Sequence, residues 1–528
     1  MNDEMYFLSE RVAEGKLSRR DFLGRAAALG LTAIVADSLL ASAARAEGPV
    51  KGGLLKAGLT GGSATDSLDP ATWEGIVPLH FGHQWGEKLV QIADKGELKP
   101  ALAEEWGASK GGQVWTFKIR KGVEFHNGKD LTPQDVVATI ERHSDANSKS
   151  GALGNLQGID TIKVDGQNVV FTLKGPNVDL PFLMDDWHLM IQPNGGKDNP
   201  AEGIGTGPYK VTVNQPGVRH GGEKFANYWR DDRGFADQIE IIVINDETAR
   251  MSALRSSQVH IVNRVDPKVV DLLKRLPGIT IRNLAGKNHY MFAAQCTTAP
   301  FDNNDLRLAL KYAIDREEMV QKILMGYGSV GNDFPINKAY TLFTEIEQRT
   351  FDPDKAAFHY KKSGYSGSLQ LHTSDVAFPG AVDAAQLYQQ SAAKAGITIE
   401  VKRKPGDGYW SEVWNKQPFT ASPWAGRGTQ DQMYSTVYYS KAAWNETRFV
   451  NEKFDQMLFQ ARGELDVEKR KKLYADMGQI VRHEGGAIIP MFNDLLDATG
   501  PNVGGWIAGY GNLELMGCYA LSKCWLTA

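Results

Sequence analysis

The side chains best suited to recognition chemistry are concentrated in residues 407–434. Tyr409, Trp410, Trp414, Trp424 and Tyr434 stand there among Gly406, Gly408, Gly426 and Gly428, with Arg427 and Asp431 as isolated charges. Aromatic rings bury large areas at small entropic cost, glycines let backbone approach a solute, and one or two charges fix its orientation. The segment is expected to line a binding cleft, although each ring taken singly serves equally well as core packing. Two other stretches offer ligand contacts. Thr60-Gly61-Gly62-Ser63 follows an apolar run and either turns its backbone amides toward a ligand or is a plain turn. His289 and Tyr290 lie in residues 286–297, where a lone histidine is either a contact or a satisfied structural residue.

Catalysis would require a nucleophile with its base, paired carboxylates or a metal cluster. The chain has no H-E-x-x-H, G-x-S-x-G or C-x-x-C. Its 11 histidines are scattered, and His80 with His83 has helical spacing but no nearby third donor. The glycine-rich run at residues 203–211 lacks the Lys-Ser/Thr ending of a phosphate loop, and no helix follows it. A formal net charge of −4 leaves no basic excess to neutralise phosphates, so nucleic acid is not the expected partner. Neither catalytic residues nor a cofactor is expected.

These residues need a scaffold, and its clearest part is residues 113–143. Trp115, Phe117 and Ile119 alternate with Thr116, Lys118 and Arg120, the period of a half-buried strand. Val123 and Phe125 resume the alternation after Gly122, and Asn127-Gly128 supplies a turn. Thr132 fits an N-cap, Pro133 the first helical position and Asp135 the first turn. Elsewhere strands are expected at residues 52–59, 159–164, 168–173, 239–245, 368–372, 397–402 and 487–492. Helices are expected at 81–92, 246–256 and 381–395, with Asp315 and Asp466 starting two more. Strand–helix–strand order points to α/β architecture, and 528 residues exceed what one core usually holds.

Residues 1–46 read as an export segment and stand outside the fold. Ser18-Arg19-Arg20-Asp21-Phe22-Leu23 has the twin-arginine pattern, an apolar stretch follows over 26–40, and Ala44-Arg45-Ala46 offers a cleavage site before Glu47. The apolar stretch is short of the ~20 residues a membrane span needs, and Asp37 interrupts it. The expected location is the periplasm. Of the three cysteines, Cys518 and Cys524 are close enough to pair in an oxidising compartment or to remain free, with Cys296 left over.

The run W-T-F-K-I-R-K-G-V-E-F-H-N-G-K-D-L-T-P-Q-D-V, from Trp115 to Val136, resembles the signature of the solute-binding proteins of peptide-type ABC importers. Leu98–Trp106 (residues 98–106), the G-T-G-P-Y core at 205–209 and P-F-D through Arg316 at 300–316 resemble further markers of that family in the same order. The resemblance implies a two-lobed periplasmic-binding-protein fold, class II, with an extra subdomain and a hinge of two crossing strands. It places the first lobe at 47–290 with the subdomain near 90–204, the second lobe at 291–494, and a return to the first lobe over 495–528. It implies capture of a peptide or peptide-like solute by a monomer, hinge closure, and delivery to a permease with ATPase subunits at the inner membrane. Dipeptide-binding relatives carry a Trp followed by an Asp that pairs with the peptide amino group. Here Trp424 is followed by Arg427, with Asp431 further on. Arginine offers a planar fork suited to carboxylate, so two readings stand: an anionic solute engaged by Arg427, or Arg427 paired structurally with Asp431. A branch of the family binds haem or nickel, which keeps open a role for His289 and, as the alternative function, an exported cofactor- or metal-binding protein or enzyme on the same fold.

Overall fold

The computed structural model describes residues 48–73, 75–93, 96–406, 409–442, 444–510 and 513–527. The export segment expected over residues 1–46 lies outside the described residues. Two mixed sheets form the centres of two α/β lobes. In the first, the strand order is Thr280–Leu284, Leu495–Thr499, Ile261–Val262, Leu54–Leu59, Gln238–Val243, Arg219–Lys224, Tyr209–Gln215. Leu54–Leu59 lies at its centre, parallel to both neighbours, and Leu55, Ala57 and Leu59 are fully buried. In the second, the order is Gly328–Val330, Ala487–Asn493, His289–Ala294, Phe419–Trp424, Leu369–Thr373, Ile399–Arg403. Leu369–Thr373 runs parallel to both neighbours, with the helix Ala381–Ala393 as its crossover.

The chain passes between the lobes twice. It leaves the first sheet after Leu284 and enters the second at His289, then leaves the second after Asn493 and re-enters the first at Leu495. Residues 285–288 and Asp494 are therefore the whole connection between the two sheets. His289 and Tyr290 belong to the second sheet.

A separate four-stranded antiparallel sheet, Ala103–Ser109, Val114–Ile119, Asn168–Leu173, Ile159–Asp165, forms a subdomain with its own core. Phe117 and Ile119 are fully buried there and Lys118 is exposed, as the alternation requires. The helix Pro133–Ser144 starts in a capping box: the Thr132 hydroxyl accepts from the Asp135 amide and the Asp135 carboxylate accepts from the Thr132 amide.

Two expectations need correction, and the open choice at Cys518 and Cys524 falls to the free form. The helix expected at 81–92 is instead Ile76–Trp85, ended by extended Gly86, and Val90–Ile92 is a strand paired with Leu98–Pro100. Its position is set by Trp73, whose ring packs so closely that a Cβ on Gly82 would lie 1.9 Å from it. Val123 and Phe125 are buried but form no strand, because Gly122 at φ 71° turns the chain and only a single bridge, Glu124 to Asp130, closes the loop. Cys518 and Cys524 are buried and unpaired, with the Cys524 sulfur 3.8 Å from that of Met516.

The second lobe is locked by Asp333, wholly buried between Arg316 and Arg349 at 2.6 and 2.7 Å, with the Ile489 amide on its second oxygen. Burial alone would raise its pKa, but Arg316 and then Arg349 outweigh that and hold it low. Asp333→Ala leaves two buried guanidinium groups uncompensated, at a cost of roughly 3–5 kcal/mol in urea unfolding. The stabilisation is present above the ordinary carboxylate pKa and lost as pH falls through the depressed native value. In the Ala variant that acid-side loss is expected to be absent.

Candidate ligand site at the lobe crossing

The strand Phe419–Trp424 ends beside the first crossing, with Trp424 opposite His289 in register. The loop that follows, residues 425–429, then enters the helix Gln430–Val437, capped by the Thr429 hydroxyl. Arg427 sits at the middle of this loop. Its guanidinium carbon lies 5.8 Å from the ring centre of Trp187 and 5.9 Å from that of Trp424, so it stands between a ring packed on the first-lobe core and a ring of the second lobe. Among the described residues only its Nη1 is engaged, with the carbonyls of Ala425 at 3.1 Å and Gly426 at 3.5 Å, and no carboxylate lies within 4.0 Å. Burial lowers its pKa, while Tyr340 and Asp186 act in the opposite sense. Asp186 is committed elsewhere: it binds His188 Nδ1 at 2.7 Å and Asn155 at 3.0 Å. Burial pushes its carboxyl up, but His188 outweighs that and holds it at about 2.

Asp431 does not pair with Arg427. It is buried and binds Arg462 Nε at 2.8 Å, so the alternative that it pairs with Arg427 is corrected. Arg427 lies in the loop before the helix, whereas Asp431 sits in its first turn and faces the adjoining helix Glu452–Gly463.

The aromatic segment divides. Trp424 is buried, and its indole N–H donates to Glu446. Tyr409 is a core residue of the second lobe, fully buried with its hydroxyl on the Ala421 carbonyl at 2.7 Å, so its expected place in the cleft is corrected. Trp410 is 45% exposed and stacks edge-on against Tyr409 and Trp414. A chain of rings, Trp410–Trp414–Trp444–Trp424, links it to the site at centroid spacings of 6.0, 6.5 and 6.0 Å.

His289 is fully buried against Phe492 at 5.5 Å, and among the described residues neither ring nitrogen meets a side-chain partner. Burial lowers its pKa to about 3, with Arg427 adding to the push, so it is neutral. Tyr290 stacks face to face on Phe378 at 4.2 Å while feeling the charges of Arg264, Asp266 and Glu514 from the first lobe. The loop at Thr60 and Ser63 is occupied by its own fold. The amides of Thr60, Gly61 and Ser63 donate to Asn263, Asn245 and Asp66 at 2.9 Å each, so it is a turn and not an amide cradle. Among the described residues no three His, Cys, Asp or Glu side chains gather as a metal site.

Sequence reasoning missed Lys287, Trp187 and Tyr340. Lys287 is 8% exposed, its ammonium 3.3 Å from the carbonyls of Arg427 and Gly428 and 4.6 Å from the Tyr340 ring centre. The Tyr340 hydroxyl accepts from the Arg427 amide at 3.0 Å. No local pattern marks these residues, because each reaches the loop from far along the chain.

Two lobes joined by two short crossings, with an open-armed cation between facing rings beside the crossing, define a protein that binds a solute between lobes. Residues 97–446 match the profile of the bacterial extracellular solute-binding proteins, family 5, and the chain belongs to that family. It is 28% identical over 465 residues to heme-binding protein A of Haemophilus influenzae, covering 78% of this chain and 82% of that one. It is 26% identical over 500 residues to the glutathione-binding protein GsiB of Shigella flexneri, covering 90% and 96%. It is 23% identical over 454 residues to the dipeptide-binding protein of Escherichia coli K12, covering 78% and 84%. Among solved structures, the binding protein AgaA of A. tumefaciens R10 in complex with agropinic acid superposes with a TM-score of 0.80 at 23% identity, over 90% of this chain and 99% of that one. The chain is thus a solute-binding component of an ABC importer, working with permease and ATPase subunits, and its relatives are transport proteins and not enzymes.

Glu446 tests how Trp424 is held. Burial raises its carboxyl to about 7, against smaller lowering effects from Trp424, Ser422 and Trp414. Between the unfolded value near 4.5 and about 7 the native state holds a proton the unfolded state has lost, so stability falls as pH rises through that window, by roughly 3 kcal/mol in all. Glu446→Gln keeps an acceptor for the indole and is expected to flatten the melting-temperature profile between pH 5 and 7. An unchanged slope in the Gln variant would sink the assignment.

Proposed function

We propose that this protein captures a peptide-like or amino-acid-derived solute carrying an acidic group, and that Arg427 engages that group. The observation that carries this reading is the half-buried guanidinium with one arm on backbone carbonyls and no carboxylate within 4.0 Å among the described residues. A partly buried cation without a carboxylate contact carries a desolvation cost, and a ligand carboxylate in the planar fork would relieve it. Trp424 and Trp187 then flank the solute from the two sides, and Tyr290 and His289 lie at the crossing beneath it. The two relatives that bind dipeptides and glutathione, and the structural neighbour holding agropinic acid, bind solutes that bear carboxylates. The solute selects the closed arrangement by contacts made only there. The protein acts as a monomer in the periplasm, exported by the twin-arginine route and cleaved near Ala46.

Thermal-shift and calorimetric screening against dipeptides, C-terminally amidated dipeptides, glutathione and opines tests this reading, since a ligand that binds only the native state raises the melting temperature. An anionic compound is expected to stabilise the protein where its amidated counterpart does not. Arg427→Ala is expected to weaken binding by about 30-fold or more, the usual loss when one partner of a buried charge pair is truncated. Equal binding of amidated peptides, with Arg427→Ala without effect, would make this a conventional peptide binder with a structural arginine.

A further inference from the structure

The loop that presents Arg427 is fastened to the first crossing through Asn288 and Lys287, and its remaining amides are held by Tyr340 and Gln432. The Gly426 amide donates to Asn288 Oδ1 at 2.8 Å, the Arg427 amide to the Tyr340 hydroxyl at 3.0 Å and the Gly428 amide to Gln432 at 3.0 Å. From below, the Lys287 ammonium donates to the carbonyls of Arg427 and Gly428 at 3.3 Å. Gly426 is pressed so close to the crossing that a Cβ on it would lie 2.3 Å from that of Lys287. An apolar side chain of similar length would fill the space of Lys287 without the cost of desolvating an ammonium. What lysine adds is a pair of donors to the carbonyls at and after Arg427, and a second positive charge with no carboxylate within 4.0 Å among the described residues.

We propose that Lys287 is a positioning residue for solute capture. It clamps the Arg427 loop to the crossing so that the guanidinium stands between Trp187 and Trp424, and its charge adds to the site's preference for anions. This rests on the reading of Arg427 as the solute anchor. Because the clamp is borne by residues 285–288, the anchor is tied to the segment about which the lobes must turn.

The clamp titrates. Burial lowers the Lys287 pKa to about 8, so the ammonium is lost as pH rises through that value. The charged and titratable groups against it are Arg427, whose carbonyl it contacts, Tyr340, whose ring centre lies 4.6 Å away, and neutral His289 two residues on; beyond them, Asp186 acts on Arg427 and Asp494 stands at the second crossing with Lys338 acting on it. Burial raises the Tyr340 phenol and Asp494, and Asp186 is held ionised.

The test compares Lys287→Arg, which keeps charge and donors at all working pH, with Lys287→Met, which keeps the bulk alone. Tryptophan emission is followed from pH 6.5 to 9.5, and glutathione binding by calorimetry at pH 6.5 and 8.5. Wild-type emission is expected to change with a midpoint near pH 8 as Arg427 shifts between its rings. The Arg variant should keep the low-pH emission throughout, and the Met variant the high-pH emission. Glutathione, as the anionic probe, should bind the Met variant at least ten-fold more weakly than wild type at pH 6.5. From pH 6.5 to 8.5 wild type should lose several-fold more affinity than the Arg variant. A wild-type emission transition in the Met variant, or unchanged glutathione affinity there, would overturn the proposal. If glutathione does not bind wild type while the emission transition behaves as described, the choice of solute class fails and the clamp stands.

Discussion

The approach of Gly426 to Lys287 is the constraint on which the ligand-facing part of this structure depends. There is no room for a Cβ on residue 426, so the loop after Trp424 lies flush on residues 285–288, where the chain crosses from one sheet to the other. That contact brings the Asn288 side chain and the Lys287 ammonium within hydrogen-bond reach of the loop. It also fixes which way Arg427 leaves the backbone. A residue larger than glycine at 426 would lift the anchor from the crossing and separate solute recognition from lobe movement.

The fold was legible where a local pattern and a tertiary environment asked for the same thing. Trp115, Phe117 and Ile119 alternate because one face of their strand packs on the subdomain core, and Thr132 with Asp135 caps its helix without help from elsewhere. The strands Leu369–Thr373 and Ile399–Arg403 likewise follow from apolar positions that alternate with polar ones on either side of the helix Ala381–Ala393. Where neighbours decided, the pattern misled. The helix Ile76–Trp85 begins early because Trp73 lies against Gly82 and ends because Gly86 is extended, and no periodicity in residues 81–92 reports either.

The site was legible only in part, for a similar reason. An arginine isolated among glycines and tryptophans stands out in any reading, and Arg427 does lie between two rings. Asp431 looked like its partner because it is four residues away, but the nearer geometric match was Arg462, 31 residues further on across a helix pair. Tyr409 carries the same residue type as a cleft ring, yet its hydroxyl is spent on the Ala421 carbonyl within the second-lobe core. A single lysine is ordinarily a solvated surface residue, so nothing in the sequence singles out Lys287; only its burial at the crossing does.

The treatment of buried charge elsewhere in the molecule gives the crossing its meaning. Asp333 is held by two arginines, Asp179 by Arg470, Asp185 by Lys88 and Glu514 by Arg264. Buried cations without a carboxylate contact are spent in other ways: Lys311 and Arg307 donate to the carbonyls of Val481, Arg482, Glu484 and Gly485, where the helix Val467–Glu484 ends and its dipole is negative. Neither explanation covers the loop at 425–429, which is no helix C-terminus and yet carries Arg427 above it and Lys287 below. Two positive charges are held there against carbonyls and aromatic rings, with no carboxylate within 4.0 Å among the described residues, beside the two chain crossings between the lobes. Their field weakens little over a few ångströms of protein and is largest when the lobes exclude water from it. Under the proposed reading an anionic solute would gain most in the closed arrangement, so the same electrostatics would couple its binding to closure.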